Sequence, residues 1–248
     1  MFDLSFWFLL SIALTFFLAG VVKGATGMGL PTVAMGVLGS MMPPVAAASL
    51  LIVPSFVTNV WQLFGGPNFA TLAKRLWPMM LGIVLGTIAG SSILASDNTR
   101  WTTAALGAAL VLYAGYTLLA RQFRVPEKAE PWLSPLVGLA TGVVTGGTGV
   151  FVVPAVPYLQ ALGLGKDDLI QALGLSFTVS TVALAAGLAW RDTLPLENLA
   201  LSSLAIVPAL LGMWAGQAIR QGIAPATFRR WFLLCLLVLG VELLWRPF

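Results

Sequence analysis

Charged side chains are missing from seven long stretches of this chain: residues 4–22, 24–73, 76–96, 101–120, 131–165, 169–190 and 198–219 hold no Asp, Glu, Lys or Arg. A helix rises 1.5 Å per residue, so about 20 apolar residues cross the roughly 30 Å hydrocarbon layer of a bilayer. Each run is long enough, and those at 24–73 and 131–165 must hold more than one segment. Turn residues and small-residue clusters divide the runs into ten apolar elements, at 4–22, 27–39, 46–64, 76–95 and 102–120, then 133–145, 149–162, 169–190, 198–219 and 229–246. The elements at 27–39, 133–145 and 149–162 come to about 20 Å of helix, too short to span unaided. They are expected as half-helices or re-entrant segments. The first element has no basic flank and no A-x-A-like exit, so it is expected to be a retained helix rather than a cleaved signal.

The order of elements repeats. Gly20-Val-Val-Lys-Gly-Ala-Thr-Gly27 is matched at six of eight positions by Gly142-Val-Val-Thr-Gly-Gly-Thr-Gly149, 122 residues later. Gly86-x-x-x-Gly90 corresponds to Gly212-x-x-x-Gly216, and Gly115 to Gly240. The expected organisation is a first membrane repeat at 1–120, a cytoplasmic linker at 121–132 and a second membrane repeat at 133–248, each repeat with about five helical elements. An odd number of elements turns the second half upside down relative to the first. Inverted repeats that meet at a central site are a recurrent design of secondary transporters. The predicted fold is therefore all-α and polytopic, with two inverted-topology repeats and helices broken at the Gly-rich motifs.

Composition agrees, with 58% hydrophobic and 9% charged residues, where a soluble domain carries about 25% charged. The net charge of +4 sits mainly in three connections: Lys74 and Arg75; Arg121, Arg124 and Lys128; Arg220, Arg229 and Arg230. Short loops with this bias face the cytoplasm, so the charge points to membrane orientation and not to nucleic acid. All three fit inside under the inverted parse, which leaves both termini outside. Cys235 is the only cysteine, so there is no intrachain disulfide.

Candidate chemistry concentrates at the two breaks, Gly24-Ala-Thr-Gly27 and Gly146-Gly-Thr-Gly149. Hydrocarbon tolerates broken helix only where protein or water satisfies the freed backbone groups. A helix beginning just after Thr26 or Thr148 would present unpaired N–H groups and a positive dipole end to an anion. The Thr hydroxyl would cap that helix or donate to the ligand, and Thr26→Val or Thr148→Val is expected to cut transport. The same glycines also suit close helix packing. In the third element Ser55, Thr58, Asn59 and Gln62 share one helix face, with Ser176, Thr178, Ser180 and Thr181 at the comparable place in the second half. Ser and Thr can satisfy themselves on the preceding turn, whereas Asn59 and Gln62 cannot easily do so. Lys23 precedes the first break and either attracts the ligand or snorkels to the interface. The candidate substrate-binding set is thus Lys23, Gly24, Thr26, Gly27, Asn59, Gln62, Gly146, Thr148, Gly149 and Ser180. Glu242 reads as interfacial.

The paired Gly-Thr breaks, the two similar halves and Pro31 and Pro154 just past each break resemble the TauE/SafE sulfite exporter family of bacterial membrane proteins. The resemblance implies a multi-pass permease of the cytoplasmic membrane for small anions such as sulfite or sulfoacetate, with Gly24, Thr26, Gly27, Gly146, Thr148 and Gly149 as its motif residues. From the residues themselves, the leading function is a secondary transporter working by alternating access, with an anion channel or a membrane scaffold as alternatives. The chain has no His, one Cys and no clustered membrane carboxylates, which removes most enzyme chemistry and His-based metal sites. Without a G-x-x-x-x-G-K-[ST] loop, it carries no ATP-binding P-loop of its own. No cofactor is expected; a proton or sodium ion as coupling ion, the number of subunits and the transport direction are open.

Overall fold

The computed structural model describes residues 6–96, 98–119, 124–194, 196–222 and 225–246. Among these residues there are eleven helices and no strand: α1 (Phe6–Thr26), α2 (Leu30–Met41), α3 (Pro44–Leu63), α4 (Phe69–Leu94), α5 (Thr99–Leu119), α6 (Glu130–Thr148), α7 (Ala155–Ala161), α8 (Lys166–Trp190), α9 (Leu196–Leu204), α10 (Ile206–Gly222) and α11 (Pro225–Trp245). Helices α1, α3, α4, α5 and α8 and the stretch Asn198–Ile219 are each long and apolar enough to cross a membrane. The chain is an all-α, multi-pass membrane protein.

Tryptophan marks the boundaries of the layer. All nine are between 60% and 87% exposed, a pattern a water-soluble core would not leave. Trp7, Trp101, Trp190 and Trp245 lie at the ends of α1, α5, α8 and α11, whereas Trp61 and Trp132 lie at the last turn of α3 and the first of α6. Amphipathic indoles favour the two membrane interfaces, and the exposed Leu, Ile and Val side chains between them face lipid.

Two seams of helix packing hold the fold. Helix α1 lies along α10 and α4 along α6. A Cβ added at Gly20 would sit 2.2 Å from Ala209 O, and one at Gly24 would sit 2.1 Å from Met213 O; from the other side, Gly212 would clash with Phe17 O at 2.0 Å and Gly216 with Val21 O at 2.1 Å. Contacts climb together along both helices, so α1 and α10 run parallel. The second seam sets Gly82, Gly86 and Gly90 against Gly138, Gly142 and Gly146, again in parallel. Lipid gives apolar helices no reason to associate by burial, so this backbone contact and its dispersion supply the adhesion. Helices α3 and α8 instead cross the centre antiparallel: Asn59 donates to Thr181 Oγ1 at 3.3 Å, and Gln171 donates to Leu63 O at 2.8 Å and Gly66 O at 2.7 Å. Helix α5 packs on α11.

Three elements differ from the expected parse. The segment at 133–145 is not a half-helix, because α6 runs unbroken from Glu130 to Thr148, starting on Pro131 in its first turn, where a missing N–H costs nothing. The segment at 149–162 is helical only over Ala155–Ala161, and 150–154 is non-helical backbone whose Val150, Phe151 and Val152 are fully buried. The segment at 198–219 divides at Ala205, since Pro208 cannot donate to Leu204 and its ring crowds that carbonyl. Helix α2 is short as expected, and Leu30, Ala34, Met35 and Leu38 on it are fully buried. Of the linker, 121–123 lie outside the described residues.

Candidate functional site

The first break is built by Gly27 and Gly29, whose φ values of 78° and 101° only glycine adopts cheaply. Gly27 N–H returns to Lys23 O at 2.7 Å and closes α1, and the corresponding Gly149, at φ 71°, closes α6 on Thr145 O at 2.8 Å. The two threonines behave alike. Thr26 Oγ1 donates to Val22 O and accepts from Met28 N–H, and Thr148 Oγ1 donates to Val144 O and accepts from Val150 N–H. Each hydroxyl therefore seals the end of the helix before the break, and does not cap the helix after it as expected. After the second break the next helix starts only at Ala155, so no helix N-terminus follows Thr148 directly.

The breaks differ in their surroundings. Lys23, Gly24, Gly27 and Gln62 wall a cavity of about 270 Å³ together with Trp61, Gly65, Gly66, Asp167, Ile170, Gln171, Met213 and Gln217. Thr26 lies on the other side of the break and lines a second cavity of about 340 Å³ with Met28, Tyr113, Gln160, Lys166, Arg229 and Phe232. At the second break, Gly149 packs against the Met35 side chain, 2.9 Å from where its Cβ would be. Thr148 is buried there too, and Gly146 belongs to the α4–α6 seam, where an added Cβ would sit 2.3 Å from Thr87 O. Ser180 is fully buried on α8, its hydroxyl without a partner among the described residues. The structure thus gathers Lys23, Gly24, Gly27 and Gln62 at one cavity, with Asn59 touching Lys23, and places Thr26, Gly146, Thr148, Gly149 and Ser180 elsewhere.

Lys23 dominates the electrostatics. It is 2% exposed and is the one buried charged side chain among the described residues. Its Nζ donates to Asn59 Oδ1, and no carboxylate among the described residues forms an ion pair with it. A buried charge without a counter-charge is expensive, and in a membrane interior such a residue marks a pathway or binding site. Gln62 Nε2 stitches the break to α8 by donating to Gly27 O at 2.8 Å and Ile170 O at 2.9 Å. Gln171 and Gln217, also on the cavity wall, were missed as site residues in the sequence, although each is an amide inside a charge-free run and that signal would have found them.

The family described as Sulfite exporter TauE/SafE matches residues 12–243. The chain belongs to this family. It is accordingly a membrane transporter, and its setting and substrate class are a bilayer and a small anion. No curated protein and no solved structure matches the chain. In this TauE/SafE member the cavity beside the first break is walled by the buried Lys23, which has no carboxylate within pairing distance among the described residues, and by Asp167, while the second cavity is lined by Lys166 and Arg229.

Proposed function

We propose that the protein is a secondary carrier that moves small anions, sulfite or a short organosulfonate such as sulfoacetate, across the bacterial cytoplasmic membrane by alternating access. The observation that carries this reading is Lys23, buried and unpaired by any carboxylate among the described residues, at the wall of a cavity about 270 Å³ in size. An anion in that cavity would supply the missing counter-charge, and an ammonium that is paired only when loaded ties the carrier's energetics to its substrate. Gly27 lets the solute approach the backbone and Gly24 lets α10 close that side of the site, while Asn59 and Gln62 hold Lys23 and the break in place.

Two halves of opposite orientation, residues 1–120 and 133–248, would supply the alternation. In support, α1 of one half packs on α10 of the other as α6 packs on α4, each pair parallel, while the counterparts α3 and α8 meet antiparallel. These senses are what inversion requires. Lys74, Arg75, Lys128, Arg229 and Arg230 lie at the end where α1 and α3 finish and α4, α6, α8 and α11 begin, and on the bias of Lys and Arg toward inner loops that end would face the cytoplasm. The first break would then be the inward-facing half of the site. Gly146, Thr148, Gly149 and Ser180, now packed, would form the half that opens when the carrier faces outward.

The test is uptake by proteoliposomes of sulfite, sulfoacetate, thiosulfate and small carboxylates, with counterflow of labelled solute to separate a carrier from a pore. Lys23→Met is expected to abolish saturable uptake of every transported anion. Unchanged uptake by an inserted, monodisperse Lys23→Met protein would refute the assignment.

A further inference from the structure

The second cavity, on the far side of the first break, is chemically unlike the first. Lys166, the first residue of α8, and Arg229, near the start of α11, both line it, and no carboxylate among the described residues does. Neither cation forms an ion pair among the described residues, and Asp167, next to Lys166 in the chain, lines the other cavity. Arg229 is half-buried and acts electrostatically on Tyr113, a buried phenol of the same wall. Met28, Leu169, Leu173 and Phe232 supply an apolar lining. Apart from the Gln160 amide, the other polar side chains are already engaged: Thr26 Oγ1 with Val22 O and Met28, and the Tyr113 hydroxyl with Met28 Sδ at 3.6 Å. The cavity thus offers two positive charges on a largely apolar wall.

We propose that this cavity binds the head group of an anionic phospholipid, with the phosphodiester between Lys166 and Arg229 and the upper part of the acyl chains against Leu169, Leu173 and Phe232. Charge complementarity selects an anion, and the apolar wall selects one carried on hydrocarbon. A small hydrated oxoanion would shed water there against side chains that return no hydrogen bond. A cavity of about 340 Å³ takes a head group and a few methylenes, and in the same turns α5 and α11 expose Leu112, Tyr116 and Trp231, along which the chains continue into the bilayer. On the orientation proposed above the two cations lie at the inner leaflet, where basic pockets between helices take acidic lipid. The site is separate from the one assigned to the solute and does not depend on which solute is carried. The two cavities nevertheless share Ile170 and the end of α1 as a wall, so the lipid braces the first break from behind.

Short-chain lipids in detergent test this. Dioctanoyl phosphatidylglycerol, dioctanoyl phosphatidylcholine and glycerol phosphate are each titrated against the purified full chain, and the rise in apparent melting temperature is read from the fraction that stays monodisperse on heating. The anionic lipid is expected to act at a concentration on the order of 20-fold lower than the zwitterionic one, and Lys166→Gln and Arg229→Gln are each expected to cut that preference by about fivefold. Arg230→Gln, one residue along, exposed and off the cavity, is expected to leave it intact. Lys166 is exposed, so its variant remains readable if Arg229→Gln does not fold. Equal action of the two lipids overturns the inference, as does a preference that survives the cavity variants or falls equally with Arg230→Gln. Glycerol phosphate acting at as low a concentration as the anionic lipid overturns the lipid assignment and gives the cavity to a small phosphate anion.

Discussion

Two neighbouring glycines on α6 differ in what a side chain would meet, the α4 backbone at Gly146 and only the Ile93 side chain at Gly147. A Cβ at Gly146 would lie 2.3 Å from Thr87 O, 2.6 Å from Ser91 N and 2.7 Å from Gly90 C, all of them backbone atoms of α4 that no rotamer change can move. Carbon and oxygen normally stay about 3.3 Å apart, so α4 and α6 must separate by roughly 1 Å to admit a single methyl. Overpacking of this kind costs about 1–3 kcal/mol. At Gly147 the nearest atom is Ile93 Cδ1 at 3.6 Å, an ordinary contact, and alanine gains up to about 1 kcal/mol of helix propensity there. The two alanine variants should differ by about 2–4 kcal/mol. At roughly 2–4 °C per kcal/mol for a chain of this size, that is a gap of roughly 5–15 °C in apparent melting temperature. The assay is the fraction of detergent-solubilised protein that stays monodisperse after heating, with both variants heated at one fixed rate because membrane proteins often unfold irreversibly. Equal melting, or Gly146→Ala as the more stable of the two, would refute the reasoning that this motif glycine serves the seam.

Two further outcomes follow from the same geometry. Thr26→Val and Thr148→Val each strip the acceptor from a backbone N–H, at Met28 and Val150, and should lose about 1–3 kcal/mol of stability, with the Ser variants close to wild type; Val variants that melt like wild type would show that the hydroxyls do not hold the breaks together. Asn59→Leu leaves the Lys23 ammonium with no acceptor and should destabilise the protein by more than about 2 kcal/mol, while the Lys23→Met/Asn59→Leu double variant recovers at least about 1 kcal/mol of that loss; additive melting shifts in the double-mutant cycle would count against the buried pair.

The spans and the repeated motif could be read from the sequence because both are local. Charge-free runs are bounded by residues the bilayer rejects, and glycine is the residue that tolerates the positive φ at Gly27 and Gly149. The roles of the motif residues could not be read so directly. Gly24 and Gly27 are three residues apart, yet Gly24 is pressed on Met213 while Gly27 turns the chain. Lys23 offered two readings, snorkelling or binding, and the deciding fact is its burial beside α3 and its hydrogen bond to Asn59, 36 residues away in sequence. Thr26 and Thr148 looked available to a ligand because their partners, the carbonyls one turn back, are shared by every helical threonine.

Embedding in lipid, the helical class, the approximate course of the long apolar helices and the twofold recurrence of the break were all determined by the sequence alone, since each depends on hydropathy, charge or φ at neighbouring residues. Tertiary structure decided the rest. Small residues spaced by four make a smooth helix surface without naming what will lie on it, and only the assembled fold set α1 on α10 and α4 on α6, opened a cavity beside one break and closed the other over Met35. Dispersion and buried charge act over a few ångströms, so a residue's part in them is settled by its neighbours in space.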